Sequence, residues 1–340
     1  MSASAAGRAA ASGSLWSIIL AGGEGERIRP FIEQWLGRHR PKQYCTFVGT
    51  RSLLQHTLDR ADRLTPPGRR VTVIARAHQP EIPAQFCDRQ EGTVVLQPSN
   101  RDTAPGIFLP LTYVRAYDPD AVVLIYPSDH FLHPEDKFLE AVSRAASAAG
   151  RLGDRLVLLG VVPDGLELEY GWIRPGGEIG WSAGARLCEV SSFLEKPALA
   201  AAQAALTSGA LWNTLVMAAN AETLWQLGRQ HLPEVVERFE RLGRAIGTPQ
   251  EEVVLEETYR EMPRRNFSAH LLQRAAHRVA VMGLPGVLWS DWGRPERIVE
   301  TLERIGRKPA FPWRHVPRSW EPRVEPHRAS LTRAFMEVTK

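Results

Sequence analysis

Short apolar runs alternate with longer segments of helical periodicity in the first half of the chain, and this alternation restricts the fold more than any other feature. The runs lie at residues 16–20, 71–75, 93–96, 121–126 and 156–162. They are apolar at nearly every position, as strands covered on both faces are, and the helical segments between them are typical of parallel crossovers. The pattern predicts an α/β fold with a Rossmann-like, mostly parallel (mixed) sheet flanked by helices.

The second half has a different pattern, which predicts a β-containing insertion. A glycine-rich stretch occupies residues 174–184 and separates two predicted strands. The predicted elements here are strands at 170–173, 186–193, 211–218 and 278–283, with several helices between 221 and 275. Glycine weakens a strand, so the stretch at 174–184 is expected to lie between the strands rather than within them.

The chain divides into three predicted parts. Residues 1–14 are mostly Ala, Ser and Gly, lack the apolar stretch of a secretory signal, and are expected to form a disordered tail. Residues 15–305 carry the alternating pattern and are expected to form one domain. Residues 306–340 are rich in Pro, Arg and Trp, have a short helical pattern at 330–338, and are expected to form a C-terminal extension.

Composition excludes several classes of protein. Hydrophobic residues make up 44% and charged residues 24%, which is typical of a globular chain, and the formal net charge is +4. The arginines are scattered, so phosphate-bearing small molecules are favoured over nucleic acid as partners. The three cysteines are far apart in sequence and indicate a reducing compartment. With no apolar run of membrane-spanning length, we expect a cytoplasmic protein without a membrane partner.

A glycine-rich loop follows the first predicted strand. Its sequence runs Ala21-Gly22-Gly23-Glu24-Gly25-Glu26-Arg27. Glycines directly after a strand allow a sharp turn that presents N–H groups to an anion, and Arg27 adds charge-assisted hydrogen bonds to phosphate. The loop lacks the Gly-Lys-Ser/Thr of a Walker A motif and the third glycine of a dinucleotide fingerprint. A tight βα turn without a ligand is the alternative.

Two more residues point to phosphate chemistry. Lys42 lies in Arg40-Pro41-Lys42-Gln43, close enough in sequence to reach the same phosphates, although taken alone it is better explained as a solvated charge. Asp129 follows the apolar run that ends at Tyr126, and ligands of open α/β sheets collect at the carboxyl ends of strands. A carboxylate there suits Mg²⁺, with a helix cap as the alternative.

The motifs occur in an order that resembles a known family. Gly-Gly-x-Gly-x-Arg-x-x-Pro at 22–30 is followed by Pro-Lys-Gln at 41–43. Further matching segments lie at 97–105, 127–130, 169–173, 193–197, 212–214 and 289–293. Together they resemble the sugar-phosphate nucleotidyltransferases, specifically the mannose-1-phosphate guanylyltransferases, over roughly residues 16–300. The resemblance implies that residues 15–305 form a nucleotidyltransferase domain and that the insertion binds the sugar.

The resemblance also implies residue roles. The implied catalytic residues are Arg27, Lys42 and Lys196. The implied nucleotide-binding residues are Ala21, Gly22, Gly23, Gly25, Gln97, Asp102, Thr103 and Ala104. The implied sugar-phosphate-binding residues are Gly171, Glu195, Lys196 and Asn213. Asp129 and Asp291 are the implied ligands of a Mg²⁺ cofactor.

Some of these positions have other readings. Asp102 stands where the family more often has Asn, and it either accepts N–H groups of guanine or caps the following helix. Glu26 stands where Thr or Ser is more usual, and its charge is unfavourable beside a triphosphate unless it points away or meets Mg²⁺. Glu195 and Lys196 read equally as a surface ion pair.

The reaction implied by the resemblance joins mannose 1-phosphate to the GMP part of GTP and releases pyrophosphate. The same chemistry with another pair, such as UTP or dTTP with glucose 1-phosphate, is the nearest alternative. A non-catalytic sugar-nucleotide sensor is the alternative from another class, and a dinucleotide-dependent oxidoreductase is a weaker one. We expect GTP and mannose 1-phosphate as partners, no nucleic acid and no membrane, and leave homo-oligomerisation open.

Overall fold

A computed structural model describes residues 14–312 as a sheet-centred α/β structure. The strands are β1 (Leu15–Ala21), β2 (Arg70–Ala75), β3 (Thr93–Gln97), β4 (Val122–Pro127), β5 (Phe131–His133), β6 (Leu156–Val161), β7 (Gly171–Ser182), β8 (Ala185–Glu195), β9 (Leu211–Asn220), β10 (Val279–Gly283) and β11 (Leu288–Ser290). The α-helices are α1 (Arg29–Leu36), α2 (Leu53–Asp62), α3 (Ile82–Phe86), α4 (Thr103–Tyr117), α5 (Glu135–Leu152), α6 (Leu199–Thr207), α7 (Ala221–His231), α8 (Pro233–Gly243), α9 (Glu251–Arg260) and α10 (Pro295–Arg304). A π-helical turn spans Ser268–Leu272.

The large sheet has nine strands in the order β3-β2-β1-β4-β9-β6-β10-β8-β7. Strands β1 to β4 are parallel to one another, and β6 is parallel to β10. Strands β9 and β8 run opposite to the others in this sheet. The predicted α/β class, with a mostly parallel but mixed sheet flanked by helices, is therefore confirmed.

The helices cover both faces of this sheet, and the side chains of β1 alternate between them. Trp16 and Ile18 belong to one buried cluster, which α4, α7, α8 and α9 cover. Ile19 and Ala21 belong to a second cluster, which α2, α5 and α6 cover. Because both faces are buried, each strand needs apolar residues at nearly every position, which is the pattern that the sequence shows.

The glycine-rich stretch at 174–184 does not separate two strands as expected. Most of it belongs to β7, which forms a long hairpin with β8, and the turn lies at Ala183 and Gly184. The pairing with β8 supplies backbone hydrogen bonds that offset the weak strand preference of glycine. Strand β7 also pairs with β9, so the hairpin extends the main sheet. A sugar-binding role for this region stays a prediction.

A small second sheet was not predicted from the sequence. Strands β5 and β11 pair antiparallel, with Trp289 opposite Leu132. Each strand has three residues, which is too short for a periodic apolar pattern to be recognised. The pairing brings the segment after β4 next to the segment that precedes α10.

The predicted tail and C-terminal extension lie mostly outside the described residues. Residues 1–13 and 313–340, including the helical pattern at 330–338, are among those outside. Ser14, at the end of the predicted tail, is hydrogen bonded to Asp118. Phe311, in the predicted extension, is buried against Phe31 and Phe47. The three-part division stays a prediction. No helix within 14–312 has both the length and the apolarity to cross a membrane.

Close packing of α7 against α4 and α8 gives a test of the fold. A methyl group on Gly228 would overlap the Phe108 ring and lie 2.7 Å from Val236 Cγ2. We expect Gly228→Ala to lower the free energy of unfolding by about 1–3 kcal/mol, because the clash forces the helices apart. Urea denaturation monitored by circular dichroism measures this change.

Gly150→Ala in α5 is the matched control. Its added methyl group would meet Val122 Cγ2 at 3.8 Å, an ordinary van der Waals separation. This change should leave stability unchanged or raise it by roughly 0.5–1 kcal/mol, as alanine does in a helix. Equal effects of the two substitutions would contradict the described helix packing.

Candidate active site

The glycine-rich loop after β1 is held by the segment that follows α1. Gln43 Nε2 donates hydrogen bonds to the carbonyl oxygens of Ala21 at 3.0 Å and Gly23 at 2.8 Å. Gly25 has φ of 67°, and a Cβ there would lie 3.0 Å from the backbone N of Lys42. Glycine is therefore required at Gly25 both for its backbone angle and for the close approach of the two segments.

Lys42 is a buried cation at the centre of this edge of the sheet. Its side chain is only 3% exposed, and Nζ lies 2.9 Å from Asp129 Oδ2. The same ammonium donates to the main-chain oxygen of Asp291. Reading Lys42 as a solvated surface charge is therefore wrong. Burying an ammonium costs desolvation free energy, so a buried lysine is normally paired and hydrogen bonded, as Lys42 is here.

Asp291 accepts hydrogen bonds on both of its carboxylate oxygens. Arg27 Nη2 lies 2.6 Å from Oδ2, with Arg27 50% exposed and Asp291 only 7% exposed. Tyr170 donates its hydroxyl to Oδ1 at 2.5 Å, and the backbone N–H of Gly293 donates to the same oxygen at 3.0 Å. A Cβ at Gly293 would lie 2.7 Å from both Arg27 Nη1 and Asp291 Oδ2, so glycine leaves the space for this pair.

The surrounding cations keep both aspartates ionised. Burial alone would raise the pKa of Asp291, but Lys42, Arg27 and the Tyr170 hydrogen bond lower that pKa well below its usual range. Burial also opposes ionisation of Asp129, while Lys42 and His130 lower its pKa. Two carboxylates and two cations thus form one compact, charge-balanced group at the carboxyl ends of β1 and β4.

Asp129 and Asp291 fit a divalent cation. Lys42 joins the two residues, because its ammonium contacts the carboxylate of Asp129 and the main-chain oxygen of Asp291. No group of three or more His, Cys, Asp or Glu side chains gathers for a metal within residues 14–312. Two carboxylates, completed by phosphates and waters, are the ligand set that Mg²⁺ takes. The helix-cap reading of Asp129 is wrong, because β5 follows it and Pro134 precedes α5.

His130 lies behind this pair of carboxylates. Its Nδ1 accepts a hydrogen bond from Trp289 Nε1 at 3.3 Å, and its Nε2 lies 3.7 Å from Asp129 Oδ1. Burial lowers the pKa of His130 below its usual value, although Asp129 opposes this. Trp289 therefore fixes the imidazole beside Asp129.

The predicted nucleotide-binding residues Gly22 and Gln97 lie side by side. A Cβ on Gly22 would be 3.1 Å from Gln97 Oε1, while Gln97 Nε2 donates to the carbonyl oxygen of Ser99 at 2.8 Å. The ends of β1 and β3 and the start of α4 thus meet, because Gly106 in the first turn of α4 also faces Gln97 Oε1. The arrangement suits a nucleoside next to the loop, since close backbone approach needs glycine on one side.

Asp102 caps α4, which is one of the two roles predicted for it from the sequence. Its Oδ1 accepts from the backbone N–H of Thr103 at 2.6 Å and from Asn266 Nδ2 at 3.3 Å. Thr103 Oγ1 accepts from the Phe267 N–H at 2.8 Å. The N–H of Ala104 donates to the Arg265 carbonyl at 2.9 Å, so it is engaged within the protein. The base-binding roles of these three residues stay predictions.

Three of the predicted sugar-phosphate residues converge. A Cβ on Gly171 would lie 3.0 Å from Glu195 Oε2 and 3.2 Å from Asn213 Cβ. Burial raises the pKa of Glu195 above its usual value, although Lys196 and Ser268 act against this. Lys196 is directed elsewhere: its Nζ lies 3.8 Å from Glu169 Oε2, and its side chain is 58% exposed.

The exposed charge at Glu26 does not point into the group of paired charges. Its side chain is 67% exposed, and Oε2 lies 3.8 Å from Arg29 Nη1. That Glu26 points away from a bound triphosphate stays a prediction.

Sequence reasoning did not assign roles to three residues that organise the site. Gln43 holds the loop, Tyr170 and Gly293 hold Asp291, and all three stand inside the recognised motifs. Motif membership was the available signal. It could not reveal partners, because Tyr170 and Asp291 are 121 positions apart in sequence.

A family comparison agrees with this geometry. The sequence model of the family described as "Nucleotidyl transferase" matches residues 16–308. The chain belongs to this family. Its members generally use a divalent metal, which fits the two carboxylates.

Named relatives share most of the chain. It is 29% identical over 289 residues to a mannose-1-phosphate guanylyltransferase of Escherichia coli (strain K12), covering 83% of this chain and 59% of that protein. It is also 29% identical over 285 residues to one from Salmonella typhimurium, covering 82% and 58%. The chain thus spans about three fifths of the length of these relatives.

Solved structures share the fold. A protein from Thermus thermophilus, described as a mannose-1-phosphate geranyltransferase, has a TM-score of 0.71 at 28% identity, covering 84% of this chain and 79% of that one. A Helicobacter pylori protein described as a mannose-6-phosphate isomerase has a TM-score of 0.64 at 19% identity, covering 82% and 99%, and supports the fold alone.

The hydrogen bonds of Gln43 predict how rigid the loop is. We expect Gln43→Met to speed backbone amide exchange across residues 22–27 on the order of 10-fold, because the Gly23 carbonyl oxygen loses the amide donor and the Ala21 carbonyl oxygen keeps the weaker bond from the Tyr44 hydroxyl at 3.3 Å. Hydrogen–deuterium exchange with mass spectrometry measures this. Gln85→Met, which removes another buried glutamine bonded to Ser52, is the control and should leave exchange of residues 22–27 unchanged. Unchanged exchange in Gln43→Met would contradict the assigned role.

Proposed function

We propose that the chain forms GDP-mannose and pyrophosphate from GTP and mannose 1-phosphate. The observation that carries the proposal is the buried Lys42 ammonium, which contacts both Asp129 and Asp291 beside the glycine-rich loop. Cations for phosphates and carboxylates for a metal are thereby assembled in one place. The substrate pair is suggested by relatives named mannose-1-phosphate guanylyltransferase.

The charge pairs are suited to an exchange of partners when substrates bind. Arg27 is half-exposed, so its guanidinium is able to leave Asp291 for a phosphate oxygen. Phosphate oxygens would then take over as partners of Arg27 and Lys42, and the freed carboxylates would hold Mg²⁺. Mg²⁺ bound there would neutralise charge on the phosphate oxygens. Since every charge has a partner both before and after binding, little uncompensated charge is left buried.

The reaction needs positioning more than acid–base chemistry. An oxygen of mannose 1-phosphate attacks the α-phosphorus of GTP, and the bond to the bridging oxygen of pyrophosphate breaks. The sugar phosphate is already ionised at neutral pH, so no general base is required. N–H groups of residues 22–27 and the guanidinium of Arg27 would hold the departing pyrophosphate. Lys42 would reduce the repulsion between the two substrates as they approach.

The sugar and the base would occupy opposite sides of these charges. Gly171, Glu195 and Asn213 meet at one point, which suits a hydroxyl-rich ring that approaches the backbone closely. Gly22 and Gln97 meet at another, which suits a flat base. Lys196 would have to leave Glu169 to reach the sugar phosphate, which its exposure permits. The cytoplasmic location and the absence of nucleic-acid and membrane partners remain predictions.

A substrate panel tests the proposed function. Pyrophosphate release should be measured with GTP, UTP, dTTP and ATP, each combined with mannose 1-phosphate or glucose 1-phosphate, with and without Mg²⁺. We expect Mg²⁺-dependent release that is fastest with GTP and mannose 1-phosphate. Faster release with another pair would support the proposed type of reaction but assign different substrates to the chain. Nucleotide binding without release from any pair would favour a sugar-nucleotide sensor.

Arg27 provides a residue-level test of the same mechanism. Arg27→Ala should lower kcat by about 10²- to 10³-fold, because a donor to the leaving group is lost. Arg29→Ala is the matched control, since Arg29 lies two positions along and pairs with Glu33 on the exposed surface. Steady-state pyrophosphate release should show a near-parental rate for Arg29→Ala. A near-parental rate for Arg27→Ala would rule out its assigned role.

A further inference from the structure

Tyr170 connects the sugar side of the site to Asp291. Its phenol donates to Asp291 Oδ1, and its main-chain oxygen accepts the N–H of Lys196 at 3.1 Å. Its neighbours in sequence are Glu169, which pairs with Lys196, and Gly171, which lies against Glu195. A single buried residue therefore contacts both groups of predicted ligands.

The ring of Tyr170 is held by packing that does not involve Asp291. The rings of Trp212 and Trp289 stand edge-on to it at centroid distances of 5.0 and 5.2 Å. The Arg297 guanidinium lies 5.1 Å from its centroid. Three large neighbours thus fix the ring, so the position of the phenol oxygen is set before the hydrogen bond forms.

Glu167 holds this packing in place from the other side. Its Oε2 accepts from Arg297 at 2.5 Å and from Arg294 at 2.9 Å. Its Oε1 accepts from the N–H groups of Leu168 and Glu169 at 3.1 and 3.3 Å. The turn that precedes Tyr170 and the helix that follows Asp291 are thereby joined through one buried carboxylate.

The two oxygens of Asp291 differ in how firmly they are held. Oδ1 accepts from the fixed phenol of Tyr170 and from the backbone of Gly293, both in buried surroundings. Oδ2 accepts from Arg27, whose side chain is 50% exposed and, under the proposed function, would take phosphate oxygens as alternative partners. Oδ1 is the anchored oxygen, and Oδ2 is the oxygen that becomes free for a cation.

We propose that Tyr170 is a positioning residue, which anchors Asp291 through Oδ1 so that Oδ2 is presented to the metal. The identity of the metal-assisted reaction rests on the proposed function, whereas the hydrogen bond that anchors Asp291 does not depend on which reaction is catalysed. Groups that orient a metal ligand in this way contribute about 10- to 100-fold to metal affinity or activity. Loss of the phenol should therefore weaken metal binding without removing any ligand.

Tyr170→Phe tests the proposal, because it removes the hydroxyl and keeps the ring. Binding of Mn²⁺ to the full chain should be followed by electron paramagnetic resonance, both alone and with the α,β-methylene analogue of GTP. We expect Tyr170→Phe to bind Mn²⁺ about 10-fold or more weakly than the parent. The Mg²⁺ concentration for half-maximal pyrophosphate release should rise in step, while the KM for mannose 1-phosphate changes less than the Mg²⁺ requirement.

Tyr113→Phe is the matched control. Its phenol also donates to a carboxylate, Glu251 Oε1 at 2.8 Å, but this pair joins α4 to α9 and includes neither of the predicted metal ligands. Tyr113→Phe should bind Mn²⁺ like the parent. Mn²⁺ affinity of Tyr170→Phe within 2-fold of the parent would overturn the proposal, as would a parent chain that retains no Mn²⁺ under either condition.

A measurement on the parent keeps the proposal testable if Tyr170→Phe does not fold. In the chain labelled with 3-fluorotyrosine, Mg²⁺ should shift the fluorine resonance of Tyr170, because the carboxylate that accepts its hydrogen bond exchanges Arg27 for the metal. The absence of any shifted tyrosine resonance would contradict the anchoring role. Failure of the proposed function would look different. A parent and variant that bind Mn²⁺ as expected but release no pyrophosphate would contradict the proposed reaction and still support the anchoring role of Tyr170.

Discussion

The contact of the Lys42 ammonium with Asp129 and Asp291 is the interaction on which the site depends. Removing the charges of Lys42 and Asp291 from water is costly, and buried ion pairs add little to stability compared with apolar residues of the same volume. The fold nevertheless builds this group where β1 and β4 end. The surrounding features serve it: Gly25 lets the loop approach Lys42, and Gly293 leaves space beside Asp291. The site is therefore better explained by ligand binding than by stability.

The elements that position these charges come from distant parts of the chain. The segments that contribute Lys42, Asp129 and Asp291 meet through the parallel pairing of β1 with β4 and the small sheet of β5 with β11. Gln43 joins the loop to the strand end, and Tyr170 joins the predicted sugar-binding segment to Asp291. Substitution of Gln43 or Tyr170, neither of which is charged, would therefore disturb the positions of charged groups on other residues.

Local features of the sequence predicted much of this arrangement, and tertiary contacts account for the rest. The continuous apolar runs predicted the strands, because both faces of the sheet are covered. Carboxyl-end residues such as Asp129 followed from strand position. The hairpin at 174–184 was missed because glycine weakens the strand pattern while pairing with β8 restores the strand. The direction of Lys196 toward Glu169 and the donors to Asp291 depend on long-range contacts that no local pattern records.

The register of β1 against β4 determines the spacing of the charged groups in the site. Leu20 is paired with Pro127 and Ile19 with Tyr126, and the loop and Asp129 follow these positions. A slip of one residue would displace Asp129 along the loop by about 3.3 Å and turn every side chain of the strand to the opposite face. Ile18 and Ile19 oppose that slip, because they are fully buried in different clusters on opposite faces of the sheet. The spacing of the charged groups is thus specified by apolar residues in the interior.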